Sequence, residues 1–95
     1  MVELSEFQKE VVIDAAIERV RESVNHTICT SLAKYILLYE DDVRTTQLEH
    51  IFPTLRKARP YGAGKGEAWW RFDEAGQQNR LRVLQRLKEE DLQIS

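Results

Sequence analysis

The sequence predicts an all-α protein, a small bundle of about four helices with a basic, glycine-rich loop before the last of them. Three observations carry this reading. Residues 5–24 contain neither glycine nor proline, apolar residues recur at three- and four-residue spacing through most of the chain, and both prolines and three of the four glycines fall between residues 53 and 66. Spacing of three and four stacks side chains along one face of a helix, whereas a half-buried strand would need strict alternation.

Ser5 with Gln8 three residues later forms a capping-box pattern, and it predicts a first helix from about residue 5 to residue 24. Its apolar side chains fall into two sets on different sides of the wheel. Leu4, Phe7, Val11 and Ala15 make one, and Ile13, Ile17, Val20 and Val24 the other, so this helix is expected to be covered on two sides. Asn25, His26 and Thr27 predict a turn; they also match a glycosylation sequon, which has no meaning without secretion. The segment Ile28 to Tyr39 is the most apolar of the chain. It reads as a buried helix or as a strand followed by something else, and its lack of alternation favours the helix, ended by Glu40, Asp41 and Asp42.

Thr46 with Glu49 predicts a second capping box, followed by the stripe Leu48, Ile51, Phe52 and Leu55. Pro53 lies inside that stripe. A proline lacks the backbone donor and clashes with the preceding turn, so a kink or break is expected near Phe52, and Pro60 and Gly62 end the helix by Ala58. Asp73 then reads as the N-cap of a last helix from about Glu74 to Glu90, with Leu81, Leu84 and Leu87 inward.

Ninety-five residues suit a single domain spanning 1–95, and a chain of that length buries only roughly 60 to 65% of its unfolded surface. Marginal burial without disulfide or metal makes a homo-oligomer an expected way to cover apolar surface. The one cysteine, Cys29, has no internal partner, the amino terminus lacks the pattern of a signal peptide, and no apolar run approaches the ~20 residues of a membrane span. The expectation is a cytoplasmic protein away from the membrane.

The net charge of −2 conceals an asymmetry. Residues 1–52 hold ten acids against five Lys or Arg, residues 53–88 hold nine Lys or Arg against three acids, and the last seven residues add three acids. Either the two halves complement each other within the molecule, or the basic half meets an anionic partner or a second copy.

The stretch YGAGKGEAWWRF, residues 61–72, carries the strongest chemical suggestion. It is no nucleotide-binding P-loop, because Gly64-Lys65-Gly66-Glu67 lacks the hydroxyl and the preceding strand that such a loop uses. Arg56, Arg59, Lys65 and Arg71, with Lys57, interleave with Tyr61, Trp69 and Trp70. Arginine pairs with phosphate and aromatic faces stack on bases, so a nucleotide, a signalling dinucleotide or single-stranded nucleic acid could be held here. The alternative is that Trp69 and Trp70 close the core while the cations stay solvated.

Arg80 is the other informative cation, since Gly76, Arg80, Leu84 and Leu87 follow one another in line with the buried stripe of the last helix. Either its stem snorkels outward at the helix start or its guanidinium sits at a pocket mouth facing the loop. Lys34 on the apolar second helix is expected on a solvent-facing edge.

No catalytic set emerges, and neither a metal nor a cofactor is expected. His26 and His50 are 24 residues apart, and His26, Cys29 and Ser31 form a nucleophile-and-base set only in principle. The acids Glu6, Glu10, Asp14, Glu18 and Glu22 make a helix face without the Glu-x-x-His of a carboxylate metal site. Duplex nucleic acid is not an expected partner, because no helix-turn-helix signature is present and the first half is acidic.

The Cys29-x-x-Leu32 helix, the Trp69-Trp70 doublet and the closing Arg80-x-x-x-Leu84 helix together resemble small uncharacterised phage-encoded proteins. The resemblance implies a viral or mobile-element accessory protein that binds and modulates something in the host cell. The function expected from sequence is therefore a non-enzymatic binding protein, an inhibitor or adaptor of a host protein in fixed ratio, with a phosphate-containing small ligand as the alternative. Its expected anchors are Trp69, Trp70, Arg71 and Arg80.

Overall fold

The computed structural model of the chain describes residues 3–58 and 71–92, without the side chains of residues 45, 46, 57 and 58. Among them are five α-helices and no strand: α1 (Glu6–Glu22), α2 (Ile28–Ile36), α3 (Thr45–Ile51), α4 (Thr54–Ala58) and α5 (Glu74–Asp91). The all-α expectation holds, and the fifth helix arises because Pro53 divides the third expected one.

The first helix starts where its capping box lies. Ser5 Oγ accepts from the Gln8 amide at 3.1 Å and Gln8 Oε1 accepts from the Ser5 amide at 3.0 Å, so two donors of the open first turn are satisfied reciprocally. α1 ends two residues before Val24. Ser23 turns extended and its hydroxyl accepts from the Asn25 amide at 3.1 Å, a local bond that competes with further helix. Thr27 starts α2 in the same way, accepting from the Thr30 amide at 3.2 Å.

The apolar segment does not stay helical to Tyr39. α2 stops at Ile36, after which the Leu38 amide donates to the Tyr35 carbonyl at 3.2 Å and the Tyr39 amide to the Ile36 carbonyl at 2.8 Å. These tighter bonds form a turn that carries Leu37, Leu38 and Tyr39 away from the core face that Ile28, Leu32 and Ile36 occupy.

The cap expected at Thr46 is replaced by one at Arg44. Arg44 is extended, at φ −95° and ψ 148°, so the chain enters the helix at Thr45 and Gln47 becomes the third helical residue. Gln47 Oε1 accepts from the Arg44 amide at 2.6 Å, and the Gln47 amide donates to the Arg44 carbonyl at 2.9 Å. The arginine side chain has no acceptor to return the bond, so only the glutamine half of a capping box forms. The break at Pro53 falls where expected, with Phe52 at φ −123° and ψ 82° leaving α3 before the proline. Asp73 caps α5 by accepting from the Gly76 amide at 2.9 Å.

α1 is the centre of the packing, with α2 and α5 against it; α4 packs on α5, and α3 on both α2 and α4. The core draws Val12, Ile13, Ala16, Ile17 and Val20 from α1, Ile28, Leu32 and Ile36 from α2, Leu48, Ile51, Phe52 and Leu55 from the α3–α4 region, and Val83, Leu84 and Leu87 from α5. Each fully buried side chain of this size stabilises the fold by about 1.5–3 kcal/mol before its entropy loss. The first apolar set of α1 plays a smaller part. Leu4 packs at the core edge and Val11 and Ala15 are half-buried, but Phe7 is 72% exposed.

Candidate functional site

The best-organised polar arrangement lies where α5 meets the carboxyl end of α1. The last carbonyls of a helix have no partner within it, and here α5 side chains supply donors. Gln77 Nε2 donates to the Val20 carbonyl at 2.7 Å and to the Arg21 carbonyl at 3.3 Å. One turn on, Arg80 donates from Nη2 to the Val24 carbonyl and from Nη1 to the Arg71 carbonyl. Its guanidinium also lies over the Phe72 ring, 5.6 Å from the centroid.

Arg80 therefore does not snorkel outward, contrary to one sequence expectation, and the loop that the other expectation has it face lies outside the described residues. It is 1% exposed, the largest of the fully buried side chains. A guanidinium carries five donors in a planar fork, so it can bridge two main-chain carbonyls from different segments while buried. Burial pulls its pKa below the ordinary arginine value, opposed by the charge of Asp73. The residue ties three segments together.

Arg71 and Arg56 remain at the surface. Arg71 pairs with Asp73, whose carboxyl lies below the usual carboxylate range chiefly because the Gly76 amide donates to it; burial opposes this, and the Arg71 guanidinium beside it lowers the value further. Arg56 pairs with Glu49 at 3.4 Å between α4 and α3 and, with His50 and Pro53, lines a shallow cavity of about 480 Å³. Arg59, Tyr61, Lys65, Trp69 and Trp70 lie outside the described residues, as does the Lys57 side chain. Lys34 is exposed, as expected, and approaches the Tyr35 ring at 5.8 Å.

The acidic face of α1 is partly neutralised within the molecule. Asp14 receives Lys88 of α5 at 2.8 Å, Glu18 pairs with Arg21 at 2.7 Å and Glu6 with Lys9 at 3.9 Å. The Asp14 contact raises the Lys88 pKa, first through the hydrogen bond and then through the charge. It also joins the acidic and basic halves of the sequence directly. No group of three or more His, Cys, Asp or Glu side chains suited to a metal occurs among the described residues.

His26 and Ser31 do not pair as base and nucleophile. His26 Nδ1 and Ser31 Oγ are both buried without a hydrogen-bond partner, so neither bonds the other. Ser31 points into the interior with no exposed surface, and Cys29 is half-buried against the core.

What sequence reading missed is the turn after α2. Leu37 is 49% exposed and Leu38 70% exposed, with Tyr39 beside them, and Glu40, Asp41 and Asp42 follow at the surface. Three consecutive apolar or aromatic side chains in solvent contact, rimmed by acids, form a feature suited to docking. The signal in the sequence was the length of the apolar run, which exceeds what one face of a short helix buries. No helix among the described residues is long and apolar enough to cross a membrane. The chain matches no protein-family model, and comparison with curated proteins and with solved structures likewise gave no match.

Proposed function

We propose that this chain is a non-enzymatic cytoplasmic binding protein that engages a host protein in fixed ratio, as an inhibitor or adaptor of the kind its resemblance to phage accessory proteins implies. The observation that carries the reading is the run Leu37, Leu38 and Tyr39, held out of the core by the turn that ends α2 and followed by Glu40, Asp41 and Asp42. Apolar and aromatic groups contribute most where a partner removes water from them, and charged rims set orientation and encounter rate. The acids favour a partner whose docking groove has an apolar floor and a basic edge. Arg80, committed to main-chain carbonyls, is replaced in this reading by the α2 turn as the anchor.

The test is native mass spectrometry of the protein recovered from a host-cell background, alongside Leu37→Ser/Leu38→Ser. The expected result is a host protein held in fixed ratio by the parent chain and lost from the double variant, whose helical circular dichroism is unchanged. A complex that survives the double substitution refutes docking through this turn. An oligomer of the chain alone, dissolved by the same substitutions, assigns the surface to self-association instead.

A further inference from the structure

From a different part of the molecule, we infer that the junction of α1 and α2 is a binding site for a small oxyanion, of the size and charge of phosphate. Arg19 of α1, Asn25 and His26 of the connecting turn, and Thr27 and Thr30 at the start of α2 line a cavity of about 150 Å³. Its volume is roughly that of five waters in the liquid, and below the roughly 300 Å³ at which pockets for larger organic ligands begin. Among the described residues, no acidic side chain lines it.

Two nitrogen atoms distinguish this cavity from the other surface depressions. Arg19 Nε and His26 Nδ1 are buried, and neither has a hydrogen-bond partner. Buried polar atoms are satisfied in the great majority of cases, and a buried guanidinium donor without an acceptor is costly. Here the two belong to side chains that line one cavity. Arg19 Nε donates in every protonation state, and His26 Nδ1 donates in the tautomer that carries its proton there. Glu18 is taken by Arg21 at 2.7 Å, and Glu22, one turn from Arg19, forms no ion pair with it, so no carboxylate of α1 occupies the acceptor's place.

The remaining lining groups fit the same ligand. Thr27 uses its hydroxyl oxygen to accept from the Thr30 amide at 3.2 Å, which leaves its proton to donate. The Thr30 hydroxyl and the Asn25 amide group add further donors at the rim. The open first turn of α2 adds a weak positive potential on the same side. A tetrahedral anion presents several acceptor oxygens to such a set, whereas a neutral sugar or an amine would leave the guanidinium unanswered.

The experiment is a titration of the full chain with inorganic phosphate, followed by amide and arginine side-chain nitrogen–proton NMR at constant ionic strength. Sodium chloride and acetate serve as comparison anions. Expected are saturable shifts confined to residues 19 and 25–30 and to the Arg19 Nε–H, stronger with phosphate than with acetate. Arg19→Gln should weaken binding by about tenfold, the size of one charge-assisted hydrogen bond. His26→Gln should weaken it less, and Arg21→Gln, which removes an exposed cation of the same helix, should change it less than twofold. Shifts that rise linearly with every anion, or an equal loss in the Arg21 and Arg19 variants, overturn the inference. If Arg19→Gln loses the amide dispersion of the parent, the His26 variant and the Arg19 Nε–H shift in the parent decide the matter alone.

Discussion

Asp91, in the last turn of α5, caps the amino end of α4 at Thr54. Both carboxylate oxygens lie 3.1 Å from the Thr54 amide, and Oδ1 also accepts from the Thr54 hydroxyl. A helix of five residues has little stability of its own, and an acid near its first turn meets open amide donors and a favourable dipole. The same acid lies at the unfavourable end of α5, so its stabilising effect depends on this tertiary contact. Asp91→Ala should lower the unfolding free energy by about 1–2 kcal/mol. Asp91→Asn, which keeps one acceptor oxygen, should recover part of it. Urea denaturation checks both, and hydrogen exchange should show the loss concentrated in α4.

Arg80 gives the second prediction. Arg80→Ala removes the donors of two main-chain carbonyls as well as buried volume, and should lower stability by about 3 kcal/mol. Arg80→Met separates the two effects, since it restores most of the apolar bulk. It should remain at least about 1.5 kcal/mol less stable than the parent, because the Val24 and Arg71 carbonyls stay without their donors. A methionine variant as stable as the parent in urea would show that packing alone accounts for the residue.

These two contacts also mark where sequence reading stopped. The helices were legible because local signals fix them: the Ser5–Gln8 capping box, the proline at position 53, and the Asp73 cap lie next to the segments they delimit. Arg80 could be placed on the buried stripe from its spacing with Gly76, Leu84 and Leu87, but not assigned partners, because Val24 lies 56 residues away. Asp91 and Thr54, 37 residues apart, gave no sign at all. The second cap was misplaced: the sequence pointed to Thr46 with Glu49, and only the extended backbone at Arg44 moves the helix start to Thr45. At the candidate surfaces, the periodicity of α2 hid the turn at Leu37, and the cavity beside His26 depends on Arg19 from the preceding helix.

Asp73 makes stability depend on pH. Its carboxyl titrates below the ordinary value of 3.8 in the folded chain, chiefly because the Gly76 amide donates to the ionised form. The unfolded chain therefore binds the proton more readily. The stabilisation is complete above the unfolded carboxylate range and is lost as pH falls through the lower folded pKa. Asp73→Asn keeps an oxygen to cap the helix but removes the titration. Urea midpoints measured from pH 6 down to pH 2 should fall less steeply for the variant, and the two proteins should converge at the acid end.

Leu84 and Leu38 test the distinction between core and docking turn with one kind of substitution. Leu84 has no exposed surface and sits on α5 in the core, so Leu84→Ala should cost about 2–5 kcal/mol through lost transfer energy and the cavity left behind. Leu38 is 70% exposed, so Leu38→Ala should change stability by no more than about 0.5 kcal/mol. Thermal and urea unfolding of both variants measure the contrast. A large loss at Leu38 would mean that the turn supports the fold, and the effect of Leu37→Ser/Leu38→Ser on a partner would then report unfolding. Equal stability of the Leu38 variant and the parent instead leaves the side chain free for a partner, and makes any loss of binding there a property of the surface.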